Sequence, residues 1–109
     1  TTSTSRIVAH EVAHQLFGNI ISMDWWNQLW LKEGFASYFQ YEAISVLYPE
    51  LDSLVDQLEG IFGAFNYYLT NRMHSMDIPD DDKKSLLKIY GAVSYRKGGA
   101  ILRMVRGII

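Results

Sequence analysis

Ile7-Val8-Ala9-His10-Glu11-Val12-Ala13-His14-Gln15-Leu16-Phe17, closed by Gly18, is the stretch on which the reading turns. Apolar residues recur every three to four positions without a proline, and a glycine follows, so the spacing predicts a helix ending at Phe17. The preceding Thr/Ser run offers Ser3 or Ser5 as its N-cap. On that helix His10 and His14 stand one above the other, about 6 Å apart along the axis. Two imidazole nitrogens so placed suit one Zn²⁺ at ~2.0–2.1 Å each. Glu11 is turned about 100° from His10, too far round to share the ion but close enough to hydrogen-bond a water held on it. The pattern makes His10 and His14 candidate metal ligands and Glu11 a candidate general base. Val8, Ala9, Val12, Ala13, Leu16 and Phe17 flank the motif and predict a buried helix. Burying two histidines and a glutamate without partners is costly, and a metal removes that cost.

The five-residue match alone is also what a helix with two histidines four apart would give. A tetrahedral site needs a third protein ligand and leaves the fourth position open. Glu33 is the candidate, in Trp30-Leu31-Lys32-Glu33-Gly34-Phe35-Ala36, with eighteen residues between it and His14. Glutamate in a helix ordinarily faces solvent or pairs with a neighbour such as Lys32, but the apolar residues on both sides favour a buried carboxylate. Ser37, one turn on, is a candidate hydrogen-bond partner for it.

Outward from these two segments the pattern is helical throughout, and the fold class is all-α. Residues 19–27 read as a tryptophan-rich connection and residues 28–48 as a second helix stopped by Pro49. Leu51, Val55, Leu58, Phe62, Phe65 and Leu69 form one apolar stripe of a third helix. Gly60 and Gly63 weaken it by roughly 1 kcal/mol each relative to alanine. Residues 74–82 read as a loop and 83–90 as a short helix whose start carries Asp80-Asp81-Asp82, an acidic run that suits a helix N-terminus. A last helix from about Ser94 is expected to turn Ile101, Leu102, Val105 and Ile108 inward.

Composition narrows the function classes. With 10 Lys+Arg against 12 Asp+Glu in 109 residues, the chain has no basic stripe for nucleic acid. The absence of cysteine removes disulfides, thiolate zinc sites and thiol nucleophiles from this stretch. No apolar run approaches the roughly 20 residues of a membrane span. The chain begins at Thr1-Thr2-Ser3 without an initiator Met, stops at Gly107-Ile108-Ile109 within an apolar helical pattern, and reads as an internal piece of a longer protein. Exposed apolar stripes on such a piece, residues 51–69 above all, are expected to need cover from elsewhere.

The run His10-Glu11-x-x-His14 with Glu33 resembles the gluzincin pattern. Residues 9–19 together with Trp25-Trp26-Asn27-x-Leu29-Trp30-Leu31-Lys32-Glu33-Gly34-Phe35-Ala36 resemble the M1 family of zinc aminopeptidases, in its membrane-bound and endoplasmic-reticulum, aminopeptidase N-like branch. The likeness is dense from Val8 to Phe39, loose over residues 41–92, and returns at Val93-Ser94-Tyr95-Arg96-Lys97-Gly98. Tyr90-Gly91 stands where the family often has Phe-Asp, and Gly99 where Ala or Ser is usual.

The resemblance implies the helical core of a thermolysin-like metallopeptidase catalytic domain, holding one Zn²⁺ and acting on peptides. It implies that Tyr95, by spacing only one of seven tyrosines, hydrogen-bonds the tetrahedral intermediate. It also implies a plasma-membrane, extracellular or secretory setting, with any membrane anchor outside these residues. The family's Gly-x-Met-Glu-Asn segment, which holds the substrate amine, does not occur in the 109 residues, and its C-terminal helical domain is likewise expected outside them. A zinc endopeptidase would share every residue named. An inactive zinc-binding segment and a metal-free helical bundle are the readings of other classes.

Overall fold

The computed structural model describes residues 2–70, 91 and 93–109. The expected loop at 74–82, the acidic run and the helix at 83–90 lie outside the described residues. The described elements are α1 (Thr2–Leu16), α2 (Leu29–Leu47), α3 (Ser53–Thr70) and α4 (Gly98–Ile108), with a π-helical turn at Val93–Lys97 leading into α4. Short 3-10 turns at Trp26–Gln28 and Pro49–Leu51 precede α2 and α3. Among the described residues there is no strand, only a single bridge between Phe17 and Ile21. The all-α expectation holds.

Helix α2 is the hub, since α1, α3, α4 and the π turn all pack on it. It contributes most of the buried residues: Leu29, Glu33, Gly34, Ala36, Ser37, Tyr38 and Ile44. Its composition explains this. Small residues at 34, 36 and 37 let neighbours approach, and the closest approach is to α4. A Cβ on Gly98 would lie 3.1 Å from the Gly34 Cα and 3.2 Å from the Trp30 carbonyl oxygen, backbone atoms that cannot yield. That crossing brings the π turn, and with it Tyr95, over α2. On the other side Phe17 stacks on Phe35 and Phe39, with ring centroids 4.5 and 5.0 Å apart, and joins the end of α1 to α2.

The chain leaves α1 through Gly18, whose φ of 137° is a backbone conformation that side-chain-bearing residues rarely adopt. The Gly18 N–H donates to the Ile21 carbonyl at 2.8 Å and the Ile21 N–H to the Leu16 carbonyl at 2.9 Å, closing a tight turn.

Four local expectations are corrected. Helix α1 already includes Ser3 and Ser5, so neither is its N-cap. The flanks of the His10–His14 motif are not buried: Val8, Val12 and Leu16 are exposed, because α1 packs on α2 along one face only. Val105 and Ile108 are exposed too, and only Ile101 and Leu102 of the predicted inward set are partly buried. The stripe on α3 begins after a left-handed Asp52 rather than at Leu51. From Val55 to Leu69 it is largely uncovered.

Candidate metal centre

His10 and His14 come from the α2-facing side of α1, one turn apart, with ring centroids 4.7 Å apart and planes nearly perpendicular. Glu33 comes from α2 and is 5% exposed, a burial at which an unpaired carboxylate would be strongly disfavoured. Its Oε2 lies 3.2 Å from His10 Nε2 and 3.3 Å from His14 Nε2. One ligand atom from each of the three residues lies within 4.8 Å of the others. The two positions that sequence spacing joined and the third that it could only nominate thus converge.

The other nitrogen of each ring is also engaged. His14 Nδ1 donates to the Phe17 carbonyl at 3.2 Å, an acceptor left free where α1 ends at the Gly18 turn. His10 Nδ1 pairs with Gln40 Oε1 at 3.1 Å. A carbonyl can only accept, so the neutral His14 ring carries its proton on Nδ1 and turns a lone pair on Nε2 toward Glu33. With Gln40 presenting its oxygen, His10 does the same. Two imidazole lone pairs facing one carboxylate oxygen need a proton or a cation between them. This donor set fits a divalent zinc ion. A tetrahedral ion with ligands at about 2.0–2.1 Å separates its donor atoms by about 3.3 Å, close to the two distances found.

Without an ion, protons take that place. The hydrogen bond to Glu33 is the largest influence on His10 and raises its pKa above 6.5, against the opposing effect of burial. Burial pushes the Glu33 carboxyl up. The hydrogen bond from His10 and the charges of His14, His10 and Lys32 together outweigh it, so the net shift is downward.

The remaining candidates fall around this cluster. Glu11 lies on the exposed side of α1 and lines a cleft of about 470 Å³ with His10, Gln40, Arg6 and Tyr95. The Tyr95 ring, carried by the π turn, lies over His10 at 6.0 Å between centroids and 26° between planes. A π turn widens one helical turn, a departure often found where a helix supplies a functional side chain. Ser37 does not take the part expected of it. Glu33 is held by the histidines, while Ser37 packs where α4 passes, at 3.4 Å from the position of a Gly99 Cβ. Lys32, the other suggested partner, lies against the Gly18 turn. Gln40 is the polar partner that sequence reasoning missed. It stands seven residues after Glu33, two turns along the same face of α2, so extending that face one turn beyond Ser37 would have found it.

The family model for the peptidase family M1 domain matches residues 1–109. The chain belongs to peptidase family M1. It is 41% identical over 101 residues to endoplasmic reticulum aminopeptidase 1 of Mus musculus, covering 92% of this chain and 11% of that protein. It is 37% identical over 105 residues to endoplasmic reticulum aminopeptidase 2 of Homo sapiens, covering 96% and 11%. Aminopeptidase M1-A of Oryza sativa subsp. japonica is 37% identical over 103 residues, covering 94% and 12%. The chain thus spans about a tenth of the length of the curated relatives it matches.

Proposed function

We propose that the protein carrying this chain is a zinc-dependent aminopeptidase, and that this segment of its M1 catalytic domain supplies the metal ligands, the general base and the intermediate-binding tyrosine. The observation that carries the reading is the convergence of His10, His14 and Glu33, with His10 and His14 each held by a hydrogen bond at Nδ1, in a chain of the M1 family. Relatives named aminopeptidases support removal of an amino-terminal residue over internal cleavage. The residue that grips the free amine is expected outside the 109.

His10 Nε2, His14 Nε2 and a Glu33 carboxylate oxygen would hold the ion. Zinc held there would supply a Lewis acid that makes water a stronger acid and polarises the scissile carbonyl. The chain's residues do the rest. The Glu11 carboxylate accepts a proton from the attacking water and delivers it to the leaving amine as the C–N bond breaks. The Tyr95 hydroxyl donates to the oxygen on which negative charge develops, a contribution typically of about 3–4 kcal/mol. Gln40 and the Phe17 carbonyl hold the ligand rings in the metal-binding tautomer.

The peptide is the substrate, and secretory or membrane placement follows the named endoplasmic reticulum relatives. No described helix is long and apolar enough to cross a membrane. The test is the zinc content of the purified, folded protein beside its Glu33→Ala variant, together with hydrolysis of free and amino-blocked peptides. One zinc per chain, lost or much weakened in the variant, with cleavage of free peptides only, is the expected result. A folded wild-type protein without zinc would overturn the ligand assignment, and cleavage of blocked peptides would make it an endopeptidase.

A further inference from the structure

We propose that Arg6 forms a carboxylate-binding subsite for the part of the peptide released with a new amino terminus, an inference that rests on the aminopeptidase reading above. Arg6 stands one turn before His10 on the same face of α1 and lines the cleft of about 470 Å³ that contains His10, Glu11 and Tyr95. The direction of the peptide follows from the chemistry. Glu11 returns its proton to the leaving amine, so the residue bearing that amine, and the chain beyond it, lie beside Glu11. Arg6 lines the same cleft as Glu11.

Among the described residues the guanidinium is positioned yet incompletely satisfied. Asp56 of α3 meets Nη1 at 3.5 Å, with both side chains between a quarter and a third exposed. A single contact of this length and exposure is weak and engages one of the five N–H donors. Nε is buried and has no hydrogen-bond partner among the described residues. A small rotation of the side chain would offer the Nε and Nη2 N–H groups side by side, the fork that carboxylates accept in pairs. The ligand chemistry is a carboxylate. A short peptide always brings one at its carboxyl terminus, and a longer one brings it on an aspartate or glutamate side chain.

The test compares, in the zinc-loaded full-length protein, a dipeptide with a free carboxyl terminus, the same dipeptide as its amide, and amidated tripeptides with or without glutamate after the cleaved bond. The wild type is expected to favour the free acid about tenfold, through KM rather than kcat. Arg6→Ala brings the ratio of free acid to amide close to one. Asp56→Asn keeps or raises that ratio, because it frees the guanidinium. A glutamate that restores the preference to an amidated peptide assigns the subsite to side chains. A preference confined to the free dipeptide assigns it to the carboxyl terminus.

A wild-type ratio near one, or one that survives Arg6→Ala, overturns the proposal. So does equal loss in Arg6→Ala and Asp56→Asn, which would make the ion pair only a tether between α1 and α3. If no substrate is cleaved, the aminopeptidase reading has failed. The subsite is then tested by calorimetric binding of free and amidated dipeptides to Glu11→Gln and Glu11→Gln/Arg6→Ala. Equal affinities of the free acid and the amide for Glu11→Gln overturn it, and tighter binding of the free acid that Arg6→Ala abolishes supports it.

Discussion

At the scale of single residues, the cluster is a set of lone pairs arranged to be shared. Glu11→Gln removes the proposed proton acceptor but no proposed metal ligand, so zinc should stay bound while turnover is abolished; near-normal hydrolysis would release Glu11 from that role. Gln40→Leu removes the acceptor at His10 Nδ1 and frees the ring to turn. Its expected effect is a roughly 10- to 100-fold loss of zinc affinity in competition with a chelator, and unchanged affinity would reduce Gln40 to a bystander.

The same residues set a pH dependence for the metal-free protein. His10 has a raised pKa, so its contribution to stability is complete below the ordinary 6.5 and is lost as pH rises through the raised value. Glu33 has a lowered pKa, so its contribution is present above the ordinary 4.5 and is lost as pH falls through the lowered value. Between 4.5 and 6.5 both contributions are present, and the metal-free melting temperature should gain most there from this pair. Zinc needs the neutral imidazoles and should move the optimum to higher pH. Thermal melts with and without chelator read both effects, and identical pH profiles would contradict the arrangement.

At the scale of elements, the decisive contact is the crossing of α2 and α4. A methyl group at Gly98 meets backbone at 3.1–3.2 Å, whereas one at Gly99 meets the Ser37 Cβ at 3.4 Å, near ordinary contact. Gly98→Ala should therefore cost about 1–3 kcal/mol by urea unfolding, because α4 must lift away from α2. It should also lower kcat, since Tyr95 sits one turn before Gly98. Gly99→Ala should be neutral or slightly stabilising, because alanine favours the helix by roughly 1 kcal/mol. Equal effects of the two substitutions would remove the close crossing as the device that sets Tyr95. The sequence offers only part of this, since Gly98-Gly99 beside Tyr95 permits close packing against another helix. The glycine pair was visible, but which glycine faces backbone depends on how two helices cross, and no local spacing encodes that angle.

At the scale of the whole molecule, the chain has a site but little core. Among the described residues only Leu29, Ala36, Tyr38 and Ile44 are buried hydrophobics, while Val12, Ile20, Val46, Phe62, Phe65 and Leu69 lie more than half exposed. Expressed by itself, the 109-residue chain should bind hydrophobic dyes strongly and elute as aggregates in size-exclusion chromatography; a dye-silent monomer would contradict this. The sequence alone determined the helices, the pairing of His10 with His14 and the nomination of Glu33, because helical period and chain punctuation are local properties. The expectation that the flanks of α1 are buried failed, because an apolar pattern marks which faces seek cover, not whether this chain supplies it. Tertiary structure alone decided that Glu33 reaches both histidines, that Gln40 and not Ser37 supports the cluster, and that Tyr95 lies over His10. Those are contacts across 19 to 85 positions of chain, fixed by how closely small residues let α1, α2 and α4 approach.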